Sequence, residues 1–356
     1  MPRVLQALAG APEGGAEMHF LRLCLALRRA GVEQRVVIRP HPKSLEVLRA
    51  GGIEPVTARF GGLFDRETGK VLRREIADFG PDIALTYMSR ASAAMPKGDF
   101  LHLARLGGYY DLKYYRRCDH MVCITPDIKA HCVKHGFADS RVHVIPNFVE
   151  DHRAPPQDRV ALETPPEAPL VFALGRLHEN KAFDILLEAV AKVPAAYLWL
   201  AGDGPLRGRL EQQAERLGIA GRVRFLGWQH DTAPYFAAAD VYIVPSRHEP
   251  LGSVVLEGWM AGVPMIAAAS QGPSWLVRDG DDGLLVPIDD AAAMAAAIQQ
   301  LIGDPQTAER LVQNGRRRYE EGFTEAVAVR RYLTLFDSLM AGSDEAPRGT
   351  GLPLSR

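Results

Sequence analysis

The sequence contains few cysteines and no apolar segment of transmembrane length. Four of its 356 residues are cysteine, which is far below the density of a disulfide-bonded secreted domain and suits a reducing cytoplasm. No apolar run reaches the ~18 residues that a membrane-spanning helix requires. The apolar part of the N-terminus is too short for a signal peptide and is better explained as a first strand. We therefore expect a cytoplasmic protein.

The chain also lacks a strong net charge, although its two halves differ. The formal net charge is −1. Residues 1–150 contain 22 Lys and Arg against 16 Asp and Glu, and the remaining residues contain 20 against 27. A basic first half is compatible with an anionic partner or an anionic surface. It is equally compatible with side chains that are simply solvated.

Clear sequence motifs for a metal or a dinucleotide are missing. The loop at 202–205, with Gly208, departs from the G-x-G-x-x-G fingerprint, which disfavours a dehydrogenase and indicates a structural loop near a nucleobase. No Asp-x-Asp pair is placed to bridge a metal ion to a diphosphate, so we expect metal-independent chemistry. The spacing of a Cys/His group does not fit a zinc site, and buried structural thiols are the simpler interpretation. That group comprises Cys118, His120, Cys123, His131, Cys132 and His135.

The length and the hydrophobic pattern predict two α/β domains. A chain of 356 residues exceeds what one hydrophobic core usually serves. A strand at 3–8, a glycine-rich loop at 9–15 and a helix at 16–29 form the first unit of a doubly wound sheet. Further strands are predicted at 34–38, 83–87, 119–124 and 142–145, and then at 170–174, 197–201, 223–226, 241–244, 263–267 and 284–286.

These two arrays predict two facing Rossmann-like domains. We place the first domain at residues 1–148 and the second at 169–322, joined by a proline-containing extended linker at 149–168. An amphipathic helix is expected at 323–341. Residues 342–356 are small and polar and are expected to form a disordered tail.

The segment from Asp240 to Gly262 has the pattern of a binding site. A buried apolar strand ends at Pro245, and Gly252-Ser253 begins a helix. Such a helix N-terminus presents free N–H groups to an anion. Glu249 lies in the loop, and Glu257 lies about one turn into the helix, roughly 6 Å further along its axis. Two carboxylates beside an anion site fit a phosphorylated, hydroxyl-rich ligand such as a nucleotide sugar.

The spacing of Glu249 and Glu257 resembles the E-x7-E signature of retaining GT-B glycosyltransferases of family four. Arg176 and Lys181 resemble the Arg-x4-Lys of the same family, which binds the diphosphate. Residues 144–147, 202–205 and 279–287 also resemble family segments in their usual order. The resemblance is clear over about residues 140–340 and looser before them. It implies a GT-B fold whose last helix crosses back to the first domain.

The resemblance also assigns roles to individual residues. Arg176, Lys181 and Glu249 are the catalytic candidates: the two cations contact the diphosphate, and Glu249 accepts hydrogen bonds from the donor sugar. Glu257 is expected on the ribose hydroxyls. The remaining donor-binding candidates are Gly14, Gly15, Leu251, Gly252 and Ser253. Each of these positions also has an ordinary structural explanation, such as a turn glycine or an acidic helix start.

The acceptor side is less clearly defined. Many family members have a histidine near the sugar, and here only His102 is a candidate. Arg105, Arg116 and Arg117 lie beside tyrosines, an arrangement that suits either an anionic glycolipid or a solvated helix face over packed tyrosines. The family pattern Gly-Gly-x-Pro-Glu is replaced by Gln-Gly-Pro-Ser-Trp at 271–275, which alters contacts at the cleft edge.

The resulting hypothesis is a retaining transferase that moves a hexose from a nucleoside-diphosphate sugar to a glycan or glycolipid hydroxyl. The resemblance implies lipopolysaccharide or surface polysaccharide synthesis, at the inner membrane face. No cofactor beyond the donor and no nucleic-acid partner are expected. Two alternatives stay open: a nucleotide-sugar 2-epimerase of the same architecture, and a non-catalytic nucleotide-sugar-binding protein.

Overall fold

The computed structural model describes residues 1–12, 14–61 and 65–343. Within them the chain divides into two compact units. Unit 1 comprises residues 1–147 together with the chain from Glu325 onward, and unit 2 comprises residues 148–324. Residues 344–356, which make up most of the predicted tail, lie outside the described residues.

Unit 1 is built on a parallel sheet of seven strands among the described residues, in the order β3-β2-β1-β4-β5-β6-β7. The order reverses beside β1, as in a doubly wound fold. The strands are β1 (Val4–Leu8), β2 (Gln34–Ile38), β3 (Val56–Thr57), β4 (Ile83–Tyr87), β5 (Leu101–Leu106), β6 (His120–Cys123) and β7 (Val142–Val144). The helices up to residue 147 are α1 (Gly15–Arg29), α2 (Pro42–Ala50), α3 (Arg66–Phe79), α4 (Met88–Ala94) and α5 (Pro126–Lys134). β5 was not among the strands predicted from the sequence.

Unit 2 repeats this plan with a six-stranded parallel sheet in the order β10-β9-β8-β11-β12-β13. Its strands are β8 (Leu170–Leu174), β9 (Tyr197–Ala201), β10 (Val223–Gly227), β11 (Val241–Val244), β12 (Met265–Ala268) and β13 (Leu284–Val286). Its helices are α6 (Phe183–Ala191), α7 (Arg207–Arg216), α8 (Ala233–Ala238), α9 (Ser253–Ala261), α10 (Gln271–Leu276), α11 (Ala291–Gly303) and α12 (Pro305–Gly322). Here the strand order reverses between β8 and β11.

The central strands are buried along their whole length and mostly apolar, as expected where helices cover both faces of a parallel sheet. Every residue of β1, β4 and β11 is buried. The core of unit 2 lies between its sheet and α6, α7 and α11, and includes Val171, Leu186, Leu198, Ile243 and Ile298. These rigid strands fix the positions of the loops at their carboxyl ends.

The last helix, α13 (Glu325–Ser343), packs in unit 1, as the sequence resemblance implied. Arg29 of α1 forms an ion pair with Glu325. Tyr332 and Phe336 are fully buried. The helix was expected at 323–341; in the structure α12 continues to Gly322, so α13 begins at Glu325 and includes residues 342 and 343.

The segment expected as a linker, residues 149–168, is part of unit 2. Tyr319 donates a hydrogen bond to the carbonyl of Val149 at 3.0 Å. Further along, Trp199 donates through Nε1 to Thr164 Oγ1 at 2.9 Å. The prolines that favoured an extended linker therefore lie in a segment that is fixed by these two hydrogen bonds. We call residues 149–168 the strap.

Candidate active site

The reversal of strand order in unit 2 brings the loops after β8 and β11 together. β8 pairs with β11 in parallel, so their carboxyl ends lie at one edge of the sheet. Adjacent loops that leave such strands in opposite directions form a crevice, which is where doubly wound sheets bind ligands. Residues 175–182 and 245–252 are these two loops.

Lys181 and Glu249 form an ion pair across this crevice. Their side chains are 21% and 15% exposed, so both charges are partly screened from solvent. Ser246 donates a hydrogen bond to the same carboxylate oxygen at 3.4 Å. The structure thus brings together a cation and a carboxylate that are 68 residues apart in sequence.

The loop before α9 requires glycine. Gly252 adopts φ 86°, a left-handed conformation, and begins α9 without any side-chain cap. A Cβ at this position would lie 3.2 Å from Cγ of Glu249. The first N–H groups of a helix have no intrahelical partner, so this end is a favourable place for an anion. Ser253 starts α9 as predicted, and Leu251 is buried beside it.

The unusual segment at 271–275 supports this loop from behind. Gly272 donates its backbone N–H to the carbonyl of Glu249 at 2.8 Å. A Cβ on Gly272 would overlap the backbone of Leu251. The glycine therefore permits two backbones to pack in direct contact, and this fixes the loop that carries Glu249.

Glu257 is the fifth residue of α9 and is half-buried, so the predicted one-turn separation from the helix start is correct. Beneath it lies Tyr242 of β11, which is fully buried. Burial raises the pKa of Tyr242 well above its usual value, and the nearby charges of Glu257 and Glu249 raise it further. Gly258 lacks the Cβ that would press against the Tyr242 ring at 2.7 Å.

The loops after β8 and β9 are joined backbone to backbone. Gly175 donates its N–H to the carbonyl of Ala201, and Leu177 donates to that of Asp203, both at 2.9 Å. Gly202 has φ 136°, and a Cβ there would overlap the carbonyl of Gly175. The glycines at 202 and 204 thus have the structural role that their spacing indicated.

The two cations of this crevice lie in the loop after β8. Lys181 ends a short 3₁₀ turn, Glu179–Lys181, and α6 begins only at Phe183. The intervening Ala182 is buried at φ 51°, which turns the chain sharply between the two elements. Arg176 is exposed and makes no ion pair with any described residue.

Arg247 is a structural residue of the crevice that sequence reasoning missed. Its guanidinium binds the carboxylate of Asp184 at 2.6 and 3.0 Å, Asp289 at 2.5 Å and the carbonyl of Glu179 at 2.8 Å. Hydrogen bonds and charge from Asp184 and Asp289 raise its pKa above the usual value. One side chain therefore ties together the loops after β8, β11 and β13. Its two acidic partners and one carbonyl partner are distant from it in sequence and therefore give no local signal.

In unit 1, the carboxylate of Glu17 packs against the glycine-rich loop that was predicted to contact the donor. Gly14 begins α1 in an extended conformation. The buried Glu17 folds back and accepts a hydrogen bond from the N–H of Ala11 at 2.7 Å. A side chain at Gly10 or Gly14 would collide with Glu17. The glycines make room for this internal contact, while a Cβ on Gly15 would meet only open space.

His102 does not lie where an acceptor residue is needed. It is the second residue of β5, at the amino end of the strand, and is buried. Its Nε2 lies 2.9 Å from Thr86 Oγ1. Burial lowers its pKa to about 4. Because ligands of such sheets bind at the carboxyl ends of strands, His102 is a neutral structural residue and is removed from the acceptor candidates.

Arg105 also differs from its expected position on a basic surface. It lies at the carboxyl end of β5 and is 3% exposed. Arg116 and Arg117 are exposed and, among the described residues, form no ion pairs. Tyr109 and Tyr114 are exposed beside them, whereas Tyr115 is buried. The basic and aromatic surface thus consists of Arg116 and Arg117 with two tyrosines, without Arg105.

The four cysteines are buried and reduced, as predicted for structural thiols. Cys123 and Cys132 lie 3.8 Å apart through their sulfur atoms, and His120 Nδ1 lies 3.1 Å from His143 Nε2. Within the described ranges no cluster of three or more His, Cys, Asp or Glu side chains could hold a metal ion. No helix in the same part of the chain is both long and apolar enough to cross a membrane.

The fold and the site are those of a glycosyltransferase of the GT-B class. The chain has two Rossmann-like units, its last helix belongs to the first unit, and a Lys–Glu pair lies beside a helix N-terminus in the second. The sequence matches the family model for glycosyl transferases group 1 over residues 156–318 and that for glycosyltransferase family 4 over residues 13–153. The chain belongs to glycosyl transferases group 1, with the family 4 N-terminal region, and is a glycosyltransferase.

Individual relatives agree with this assignment. The chain is 41% identical over 335 residues to the lipopolysaccharide core biosynthesis glycosyltransferase LpsE of Rhizobium meliloti, covering 92% of this chain and 96% of the relative. It is 40% identical over 333 residues to LpsD of the same organism, with 91% and 95% covered. The crystal structure of Anabaena HepE in complex with UDP and glucose shares the fold, with a TM-score of 0.82 at 21% identity, covering 95% and 100% of the two chains.

Proposed function

We propose that this protein transfers a hexose from a nucleoside-diphosphate sugar to a hydroxyl group of a growing lipopolysaccharide core or related surface glycan, with retention of anomeric configuration. The names of LpsE and LpsD, which match nearly the whole chain, support the acceptor class. The observation that carries the donor half is the Lys181–Glu249 pair beside the uncapped start of α9.

The proposed chemistry needs no protein nucleophile. The acceptor hydroxyl attacks from the face that the diphosphate leaves, and an oxygen of the leaving phosphate takes the proton. The protein stabilises the negative charge that develops on the leaving group, which is electrostatic preorganisation. Lys181, Arg176 and the N–H groups at the start of α9 supply this stabilisation, so we propose that no cofactor beyond the donor is required.

In the structure the Lys181 ammonium is paired with the Glu249 carboxylate. We propose that the donor diphosphate replaces this carboxylate as the partner of Lys181. Glu249 is then released to accept hydrogen bonds from the sugar hydroxyls, while Glu257 accepts from the ribose. The ion pair thus keeps both side chains in the crevice until the donor arrives.

The ribose assignment is tested by thermal stabilisation with a panel of nucleoside diphosphates and nucleotide sugars. A ligand at 100 times its Kd stabilises the protein by ~2.7 kcal/mol. Glu257→Gln is expected to weaken binding of the free nucleoside diphosphate by at least 10-fold, because a charge-assisted hydrogen bond contributes ~1.5–3 kcal/mol. Glu188→Gln, an exposed carboxylate on α6, is the matched control and should leave binding unchanged. Equal Kd values for Glu257→Gln and wild type would exclude the ribose contact.

Product analysis after incubation with the same nucleotide sugars, with and without acceptor, separates the proposed transferase from its two alternatives. A 2-epimerase would isomerise the donor, or release free sugar and nucleotide, without an acceptor. A binding protein would bind the donor and turn nothing over.

We also propose that unit 1 contacts an anionic glycolipid or membrane surface through Arg116 and Arg117. Exposed Tyr109 and Tyr114 beside them suit the interface between water and lipid head groups. Arg116→Glu with Arg117→Glu is expected to reduce both acceptor turnover and binding to anionic vesicles, most strongly at low salt where screening is weakest. Vesicle co-sedimentation and acceptor kinetics measure the two effects.

The matched control reverses two arginines of α7 in unit 2. Arg209 and Arg216 are exposed and, in the described part of the chain, make no ion pairs. Their double reversal changes the net charge by the same amount and should leave vesicle binding unchanged. If both double variants bind vesicles equally, the effect is one of overall charge, and the proposed surface is wrong.

A further inference from the structure

Arg105 is a buried cation without an acidic partner. Its side chain is at the carboxyl end of β5 and is 3% exposed. Nη2 donates to Asn147 Oδ1, and the guanidinium lies 5.6 Å from the centre of the Tyr87 ring. Nε has no hydrogen-bond acceptor, and no carboxylate in the described part of the chain forms an ion pair with Arg105. Charged side chains are rarely buried unless they are paired.

Other partly buried arginines of this protein are paired, although they are more exposed. Arg316 is 23% exposed and binds Asp151 and Glu320. Arg247 is 29% exposed and binds Asp184 and Asp289. Of these three arginines, Arg105 is the most deeply buried and is also the one without an acidic partner. It therefore differs from the two arginines that form structural ion pairs.

The one buried carboxylate whose charge is felt in this region, Glu17, acts on Tyr110 and accepts a hydrogen bond from the N–H of Ala11, and it forms no ion pair with Arg105 in the described part of the chain. His19 of α1 is buried, and burial followed by the charge of Arg105 keeps its pKa well below the usual value, so its ring is neutral. Tyr332 of α13 is fully buried, and burial raises its pKa, although Arg105 acts in the opposite direction. Tyr110 is half-buried, and burial raises its pKa. These three aromatic groups can donate or accept hydrogen bonds but do not neutralise the guanidinium.

Arg105 lies at the carboxyl end of its strand. β5 pairs with β4, which pairs with β1, so their carboxyl ends share the edge of the sheet where ligands of doubly wound folds bind. Directly after β5, Gly107 and Gly108 are half-exposed. A Cβ on Gly107 would lie 3.6 Å from Nη1 of Arg105, whereas one on Gly108 would meet nothing within 4 Å. Neither glycine has a side chain that could cover the guanidinium.

We infer that Arg105, with Tyr110 and the Gly107–Gly108 backbone, forms a binding subsite for an oxyanion, a phosphate or carboxylate group carried by a substrate. A planar guanidinium can bind such a group through two parallel hydrogen bonds. Binding supplies the missing counter-charge. The existence of this subsite does not depend on the transfer reaction, but the source of the oxyanion rests on the proposed function: it is either the diphosphate of the donor or an anionic group of the acceptor.

Direct binding is measured with inorganic phosphate and pyrophosphate on the full chain, by calorimetry and by thermal shift at constant ionic strength. Lys181→Ala serves as the parent protein, since it lacks the donor-crevice ammonium. Adding Arg105→Gln is expected to weaken anion binding at least 10-fold, whereas Arg105→Lys retains the charge and should retain part of the affinity. Arg73→Gln, an exposed arginine of α3, is the matched control. Undetectable binding to the parent, or equal binding with Arg105→Gln, would overturn the proposal.

Stability in the absence of anion separates a binding role from a structural one. An unpaired buried cation contributes little to the folded state, so Arg105→Gln should have a Tm no lower than wild type without phosphate and a smaller increase with phosphate. A large loss of Tm that phosphate does not affect would assign Arg105 to structure and contradict the subsite.

The Kd for free nucleoside diphosphate and the KM values for donor and acceptor identify the substrate that carries the oxyanion. If Arg105→Gln raises the Kd for free nucleoside diphosphate and the KM for donor, the subsite holds the donor diphosphate. If it raises only the KM for acceptor, the subsite holds an acidic group of the acceptor. If both constants are unchanged while transfer proceeds, no substrate group binds there and the inference is wrong. Failure of the wild type to transfer sugar would contradict the proposed function and leave the phosphate-binding result intact.

Discussion

Lys181→Ala should fold normally and lose transfer by roughly 30- to 150-fold. In the proposed reaction, the Lys181 ammonium contacts the charge that develops on the leaving diphosphate. Removing ~2–3 kcal/mol of charge-assisted hydrogen bonding from the transition state corresponds to this factor. The fold should survive because Lys181 lies in a short 3₁₀ turn outside the sheet, and the Glu249 carboxylate keeps its hydrogen bond from Ser246. The measurement is kcat at saturating donor together with Tm.

Lys192→Ala is the matched control for this variant. Lys192 follows α6 and is exposed, and in the described structure it makes no ion pair. The control should have wild-type kcat. A folded Lys181→Ala protein that transfers sugar at a near wild-type rate would show that Lys181 does not stabilise the leaving group.

Gly202→Ala should destabilise unit 2 by about 2–6 kcal/mol and abolish donor binding. Gly202 has φ 136°, and a Cβ there would overlap the carbonyl of Gly175. Backbone strain of this kind contributes ~1–3 kcal/mol, and displacement of packed groups adds a similar amount. The loop of Gly175 leads directly to Arg176 and Lys181, so its displacement also moves the cations of the crevice. Urea denaturation and calorimetric titration with a nucleoside diphosphate measure both effects.

Gly208→Ala provides the control at the neighbouring glycine. Gly208 lies in α7, and a Cβ there would meet nothing within 4 Å. Because alanine is a better helix former, this variant should be as stable as wild type or more stable by up to ~1 kcal/mol. Equal stability of Gly202→Ala and Gly208→Ala would contradict the backbone contact between the loops after β8 and β9.

The strands that carry the donor crevice were predictable because their apolar runs are uninterrupted. The bounds predicted for β8 and β11, at 170–174 and 241–244, are those of the structure. Fully buried parallel strands produce such runs, and glycines and prolines mark their ends. The loop between β11 and α9 was therefore placed correctly, and with it the positions of Glu249 and Glu257.

β5 was missed for a physical reason that bears on function. Its sequence, Leu-His-Leu-Ala-Arg-Leu, places His102 and Arg105 in a strand that the structure buries. Sequence patterns treat such residues as surface, because burial of ionisable groups is unfavourable. His102 meets this cost by remaining neutral with Thr86 as a hydrogen-bond partner. Arg105 has no such solution among the described residues, which is the basis of the oxyanion subsite.

Contacts between distant segments were beyond the reach of sequence patterns. The bonds from Arg247 to Asp184 and Asp289 join segments separated by 63 and 42 residues. Neither local propensity nor periodicity encodes such pairs. The strap at 149–168 was interpreted as a linker for the same reason: its proline content is local, whereas its anchors on Trp199 and Tyr319 are remote.

The central claim, retaining transfer from a nucleotide sugar bound at the Lys181–Glu249 crevice, is tested most directly by proton NMR of the reaction. The purified protein is incubated with the nucleotide sugar that stabilises it most and with a truncated lipopolysaccharide core acceptor. The account predicts release of nucleoside diphosphate only when acceptor is present, together with a new glycosidic anomeric signal of the same configuration as the donor. An inverted configuration, donor isomerisation without acceptor, or a bound donor that is never consumed would contradict it.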